Sequence, residues 1–169
     1  MTGSKANPTP ITNVTQIPGQ RGLRRKIFNS SVGLYLDSLV TNPNFNMTVG
    51  MDLEAQANYW SGFYGNHYTG YFKAPATANY RFYMSCDDAC MILLSNVTLN
   101  DSAKMNVLQF NGANSYRNYI TLDGSRNSAW VNLTKGEYYP LEVRHVNYGG
   151  PDHLSIALEI EDPTISPGH

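Results

Sequence analysis

Two period-two runs separated by a glycine-rich break constrain this chain more than any other feature. In the first, Tyr139, Leu141, Val143 and His145 fall on one face of an extended segment; in the second, Leu154, Ile156, Leu158 and Ile160 alternate with Ser155, Ala157 and Glu159. Successive side chains of a strand point to opposite faces, so each run buries one side and wets the other, as antiparallel strands do. Asn147-Tyr148-Gly149-Gly150-Pro151 lies between them and is turn chemistry. Similar short runs occur at Leu23 to Phe28, Tyr68 to Phe72, Tyr80 to Met84, Met91 to Leu94 and Ala129 to Leu133. Several short strands joined by turns imply an all-β chain, and the expected fold is an antiparallel β-sandwich with loop decorations. No segment sustains the i, i+3, i+4, i+7 stripe of a core helix; helical turns are expected only after Asn44 and near Asp52 to Asn58. The segment Asn96 to Arg126 carries no readable pattern.

A length of 169 residues suits one domain with a real core. The first 20 residues, with Pro8, Pro10 and Pro18, read as a linker, residues 162–169, with Pro163 and Pro167, read as a tail, and the domain is expected over 21–161.

Charged residues make up 15% of the chain and the net charge is -1, which argues against nucleic acid or an anionic membrane as partner. The one basic cluster, Arg21, Arg24, Arg25 and Lys26, reads as a solvated strand edge. No apolar run approaches the roughly 20 residues that cross a bilayer, so no direct membrane insertion is expected, and Met1 to Lys5 lacks the apolar region of a signal peptide. Glycosylation sequons at Asn13, Asn29, Asn46, Asn96, Asn100 and Asn132 suit a glycosylated ectodomain. The expectation is an extracellular, cell-surface piece of a larger secreted or membrane-anchored protein.

Nothing in the chain reads as catalytic. His67, His145, His153 and His169 sit in no nucleophile, zincin or phosphate-binding motif, and His145 reads as a satisfied strand histidine. Cys86 and Cys90 have neither redox nor zinc spacing. In an oxidising compartment they would close a small disulfide loop, which needs Cα atoms within about 7 Å; the alternative is two reduced cysteines packed in a strand. Trp130 is expected in the core. Within the aromatic run Tyr59 to Tyr68, Trp60 and Tyr64 either face a sugar ring or pack internally.

The stretch Gly70-Tyr71-Phe72-Lys73-Ala74-Pro75, followed by Tyr80-Arg81-Phe82-Tyr83-Met84-Ser85-Cys86-Asp87-Asp88-Ala89-Cys90 and the apolar Met91 to Leu94, resembles the signature of the PA14 domain family. Lys135-Gly136-Glu137-Tyr138-Tyr139 and the Gly149-Gly150 loop resemble its later elements, while Tyr35-Leu36-Asp37-Ser38-Leu39 is similar to fibrocystin-like members. In the flocculin and epithelial-adhesin members a cis-linked Asp pair holds Ca²⁺ that also meets ligand hydroxyls. The resemblance therefore implies Asp87, Asp88 and Asn147 as side-chain ligands, Gly149 and Pro151 as carbonyl ligands, and Tyr148 beside the sugar. Calcium takes six to eight hard oxygens, and these five leave room for water or hydroxyls. A polar turn with Asx hydrogen bonds is the alternative for Asp87-Asp88.

Two functions follow from the resemblance. One is a calcium-dependent carbohydrate-binding and cell-adhesion module whose partner is a glycan or a cell-surface glycoprotein. The other is a structural or protein-interaction domain of a large surface receptor that binds no sugar.

Overall fold

The computed structural model describes residues 9–10, 14–15, 22–29, 35–40, 45–50, 54–57, 62–95, 104–119 and 126–161. Its strands are β1 Thr9–Pro10, β2 Val14–Thr15, β3 Leu23–Asn29, β4 Phe45–Gly50, β5 Glu54–Ala57, β6 Tyr64–Lys73, β7 Ala78–Asp87, β8 Ala89–Ser95, β9 Lys104–Asn111, β10 Val131–Leu133, β11 Tyr138–Asn147 and β12 Asp152–Ile160, with a 3-10 helix over Leu36–Val40. The strands form two antiparallel sheets. One runs β1-β12-β7-β10 with β5 also on β12; the other runs β4-β3-β6-β11-β8-β9 with β2 also on β6.

The alternating faces meet between the sheets. Tyr68, Phe72, Leu141, Val143, Ile92 and Leu94 of the larger sheet pack with Phe82, Met84, Leu154 and Ile156 of the smaller one. Phe72 anchors this core, its ring meeting Tyr80 and Phe82 edge-on at 5.7 and 6.0 Å. Each such side chain contributes about 1.5–3 kcal/mol by leaving water. A smaller cluster of Phe28, Leu36, Leu39, Met91 and Val146 lies on the outer face of the larger sheet. There Gly65 admits the 3-10 helix: a Cβ at Gly65 would stand 2.3 Å from Leu39 Cδ2.

Several expectations are corrected. The segments after Asn44 and near Asp52 are strands β4 and β5, not helical turns; each gains its hydrogen bonds from a partner far along the chain, β3 and β12 respectively. The basic cluster is not at an edge, because β3 pairs with β6 on one side and β4 on the other. Arg21 lies outside the described residues. Within the stretch read as a linker, Thr9–Pro10 and Val14–Thr15 pair with β12 and β6. Trp130 is 37% exposed rather than core, its ring covered by the Arg81 guanidinium at 4.2 Å.

Candidate functional site

The two motifs that the sequence sets 60 residues apart meet because each is an arch between the sheets. β7 belongs to the smaller sheet and β8 to the larger, and only Asp88 separates them; β11 and β12 belong to the larger and smaller sheets, joined by Tyr148 to Pro151. Strand register sets the arches side by side, with Val146 opposite Ala89 and His153 opposite Asp87. A third crossing, after β9, closes the group: Gly112 N donates to Asp88 O at 2.9 Å and Asn114 N to Cys86 O at 3.1 Å.

The first arch is bracketed by a Cys86–Cys90 disulfide, with Cα atoms 6.3 Å apart. That resolves the cysteine alternatives in favour of the bridge. The Asp87-Asp88 peptide bond is cis. Asp88 N donates to Val146 O at 3.1 Å, and Tyr148 N donates to Asp88 Oδ2 at 2.5 Å. Burial, then the neighbouring Asp88 charge, pushes the Asp87 carboxyl above the usual carboxylate range. Among the described residues neither carboxylate is paired with a lysine or arginine.

In the second arch Asn147 is fully buried. Its Oδ1 accepts from Gly149 N at 3.1 Å, and its Nδ2 points to the carbonyls of Gly62 and Gly150 at 3.4 and 3.5 Å. Gly149 and Gly150 have φ of 118° and 86°, conformations that side chains disfavour, so the adjacent glycines are what this tight arch requires. Asp87 and Asp88 thus stand beside an arch carrying Asn147 Oδ1 and the backbone carbonyls of Gly149 and Pro151. Two carboxylates next to neutral oxygens are the donor types a hard cation takes; among the described residues no three His, Cys, Asp or Glu side chains gather as a metal-binding group.

Behind the arches runs a buried relay that the sequence reading did not contain. Arg25 Nε donates to Asn66 Oδ1 at 2.9 Å, Asn66 Nδ2 meets His145 Nδ1 at 3.1 Å, and His145 Nε2 meets Asp87 O at 2.7 Å. The expectation of a satisfied strand histidine holds for His145. Asp152, directly after Pro151, was also missed: it is 4% exposed, its Oδ1 meets no hydrogen-bond partner among the described residues, and burial pushes its carboxyl up to about 6. Its place in the series Asp152, Leu154, Ile156, Leu158 signals the inward face.

The expected ligand residues separate. Tyr148 is 41% exposed beside the first arch. Tyr64 offers no face to a ligand: it is 3% exposed, packed edge-on against His145 at 6.2 Å, because it shares the inward face of β6 with Asn66 and Tyr68. Trp60 lies outside the described residues.

On the outer face of the smaller sheet, Ser85 Oγ and His153 Nε2 are 3.1 Å apart. The spacing is that of a nucleophile and its base. Ser85 is fully buried, however, and its hydroxyl donates to Ser115 O at 2.9 Å, while Asn114 Oδ1 accepts from Cys86 N at 2.8 Å. These bonds clamp the third crossing onto the sheet.

The GLEYA domain model matches residues 64–160, from β6 through β12. Human Fibrocystin-L is 28% identical over 159 residues, which is 91% of this chain and 4% of that protein. Among solved structures, the β-glucosidase from Kluyveromyces marxianus superposes with a TM-score of 0.63 at 12% identity, over 94% of this chain and 19% of that one. The PA14 sugar-binding domain from an RTX adhesin gives 0.62 at 14% identity, over 83% of this chain and 90% of that one. The Epithelial Adhesin 6 A domain from Candida glabrata, in complex with Galb1-3GlcNAc, gives 0.54 at 16% identity, over 95% of this chain and 84% of that one. These structural likenesses show a shared fold. With both arches and the central strands of each sheet inside the matched span, the chain belongs to the GLEYA domain family, and its sandwich is PA14-like.

Proposed function

We propose that this domain is an extracellular, calcium-assisted sugar-binding adhesion module and carries out no catalysis. The observation that carries the reading is the pair of arches: Asp87 and Asp88, without a lysine or arginine partner among the described residues, tied through Asp88 to Val146 and Tyr148, beside Asn147 and its glycine arch. Asp87, Asp88 and Asn147 would hold Ca²⁺ through side-chain oxygens, and Gly149 and Pro151 through carbonyls. When bound, the ion supplies open coordination positions that sugar hydroxyls can occupy. The protein's own part is to hold these oxygens still before the ion arrives, through the disulfide, the relay from Arg25 and the Asp88–Tyr148 bond. With two carboxylates, the affinity falls toward the weaker, extracellular end of the calcium range, micromolar to millimolar. Sugar binding is supported by what similar folds do, since the RTX adhesin domain binds sugar and the Epithelial Adhesin 6 domain was solved with a disaccharide. The partner is then a glycan or a cell-surface glycoprotein.

A second reading, a structural or protein-interaction domain of a large surface receptor, is favoured by the match to Fibrocystin-L. Calcium calorimetry on wild type and on Asp87→Asn/Asp88→Asn, followed by a glycan array with calcium or chelator, separates the two. Saturable calcium heat lost in the variant, with glycan signal abolished by chelation, supports the adhesion module. Calcium heat without glycan binding supports the receptor domain, and no heat at millimolar calcium defeats the metal site.

A further inference from the structure

Of the six glycosylation sequons, Asn132-Leu133-Thr134 is the one whose side chains all lie among the described residues. β10 ends the smaller sheet: it pairs with β7 on one side, and among the described residues no strand pairs with its other edge. Val131 and Leu133 pack toward the core, so alternation sets Asn132 on the outer face, where it is exposed. Thr134 is exposed too, and opens the exposed turn closed by the bond from Glu137 N to Thr134 O at 3.2 Å.

Trp130 stands two residues before Asn132 and shares its face. Its neighbour Arg81 alternates with the inward Tyr80 and Phe82 of β7 and so points outward. The guanidinium covers one face of the indole at 4.2 Å, and Trp130 is still 37% exposed. Across the β7–β10 pair, Asn132 Nδ2 donates to Asn79 Oδ1 at 3.0 Å. That bond uses one of the two amide hydrogens and leaves the second to be replaced.

Resting on the extracellular reading above, we propose that Asn132 carries an N-linked glycan whose first N-acetylglucosamine lies against the exposed surface of Trp130. The donor is a lipid-diphosphate-linked oligosaccharide of the secretory pathway. Asn132 Nδ2 bonds to its anomeric carbon, the bond from that carbon to the diphosphate oxygen breaks, the lipid diphosphate leaves with the electron pair, and one Nδ2 proton passes to solvent. Nδ2 keeps its other hydrogen and with it the bond to Asn79. Thr134 supplies the hydroxyl that completes the acceptor sequence. The Cys86–Cys90 disulfide suits the oxidising compartment that holds this donor. A pyranose has an apolar face, and the indole offers it a large apolar plane two residues from the point of attachment. Asn79 stands eight residues from Asp87 along β7, roughly 26 Å in extended chain, so the glycan is rooted at the end of the sheet away from the arches.

The test directs the full chain through the secretory pathway of a eukaryotic host and maps its glycopeptides by mass spectrometry, beside Thr134→Ala and Thr134→Ser. Hexosamine on Asn132 in most molecules, lost in Thr134→Ala and retained in Thr134→Ser, supports the modification. A secreted, disulfide-bonded chain with Asn132 bare overturns it and leaves the extracellular reading standing; a chain retained in the host, reduced and bare, defeats both. For the stacking, an endoglycosidase trims each glycan to a single N-acetylglucosamine before urea unfolding. The unfolding equilibrium should then favour the native state roughly two- to tenfold more than in Asn132→Gln, the scale of one aromatic contact, and the difference should vanish on a Trp130→Ala background. The same difference without the indole, or none with it, overturns the contact with Trp130.

Discussion

His145 Nε2 lies 2.7 Å from the carbonyl oxygen of Asp87, and the buried chain behind it fixes which atom carries the proton. Arg25 can only donate, so Asn66 presents Oδ1 to it and Nδ2 to His145. His145 Nδ1 must then accept, which leaves the hydrogen on Nε2, aimed at Asp87. A charge on β3 thereby sets the tautomer of a histidine on β11 and steadies the Asp-Asp arch.

Replacing His145 with leucine should expose the worth of this relay. The change strands the Asp87 carbonyl and the Asn66 amide in the interior, at about 1–3 kcal/mol for each unsatisfied group. Urea unfolding in chelator is expected to show a loss of about 2–6 kcal/mol. Groups that orient metal ligands typically matter tenfold or more in affinity, so on the proposed calcium reading ion binding should weaken by roughly that factor. A destabilised variant with unaltered calcium heat would make the relay purely structural.

The same histidine gives the folded domain a pH dependence. Burial lowers the His145 pKa from 6.5 to about 4. Between those values the unfolded chain holds a proton that the native state refuses. The stability is therefore complete above about pH 6.5 and is lost as pH falls toward 4, by about 3 kcal/mol in all. His153, lowered by burial, acts in the same direction. Asp152, raised to about 6, acts oppositely, because its burial penalty disappears as it takes up a proton. The difference between wild type and His145→Gln isolates the one contribution. In chelator, urea midpoints from pH 7 to pH 4 should fall more steeply for wild type; parallel curves would sink the assignment.

The disulfide offers a prediction independent of protonation. Cys86 and Cys90 close a short loop around the two aspartates, for which chain entropy gives about 2 kcal/mol. Cys86→Ala/Cys90→Ala should be destabilised by about that amount in urea and should bind calcium more weakly, because the carboxylates lose a covalent frame. Wild type treated with reductant should move to the same midpoint. A variant as stable as wild type would show that neighbouring hydrogen bonds, such as Gly112 to Asp88, already hold the arch.

What the sequence disclosed follows from locality. Asp87, Asp88, Asn147 and the paired glycines are contiguous motifs at strand ends, and the alternation of Tyr139 to His145 and Leu154 to Ile160 declares its faces directly. β9 hid because its register shifts opposite Ile92 and Leu93: Leu108 pairs with Ile92 and Asn106 with Leu93, leaving Val107 as an extra residue that breaks the alternation. Gln109 and Asn111, which that register sets opposite Met91 and Ala89, were lost with it. Arg25 was misread because charge on a strand usually marks water, and its buried partner Asn66 lies 41 residues away. Tyr64 stayed open between sugar face and core because an aromatic run does not state its phase; only the pairing of β6 shows that it points inward.

The last prediction concerns the notch at Gly65 of β6 that seats the 3-10 helix. Leu39 of the 3-10 helix reaches so close to Gly65 that an added Cβ would meet Leu39 Cδ2 at 2.3 Å and His145 O at 3.2 Å. The leucine tip can swing aside, but the β11 backbone cannot, so Gly65→Ala should cost about 1–3 kcal/mol. Leu39→Ala alone should also destabilise, by about 2–5 kcal/mol, because a fully buried leucine leaves a cavity. Together the two changes should cost less than their sum, since the alanine methyl fills part of the space the leucine vacates. A double-mutant cycle in urea measures that coupling, and strictly additive losses would mean that Leu39 does not occupy the Gly65 notch.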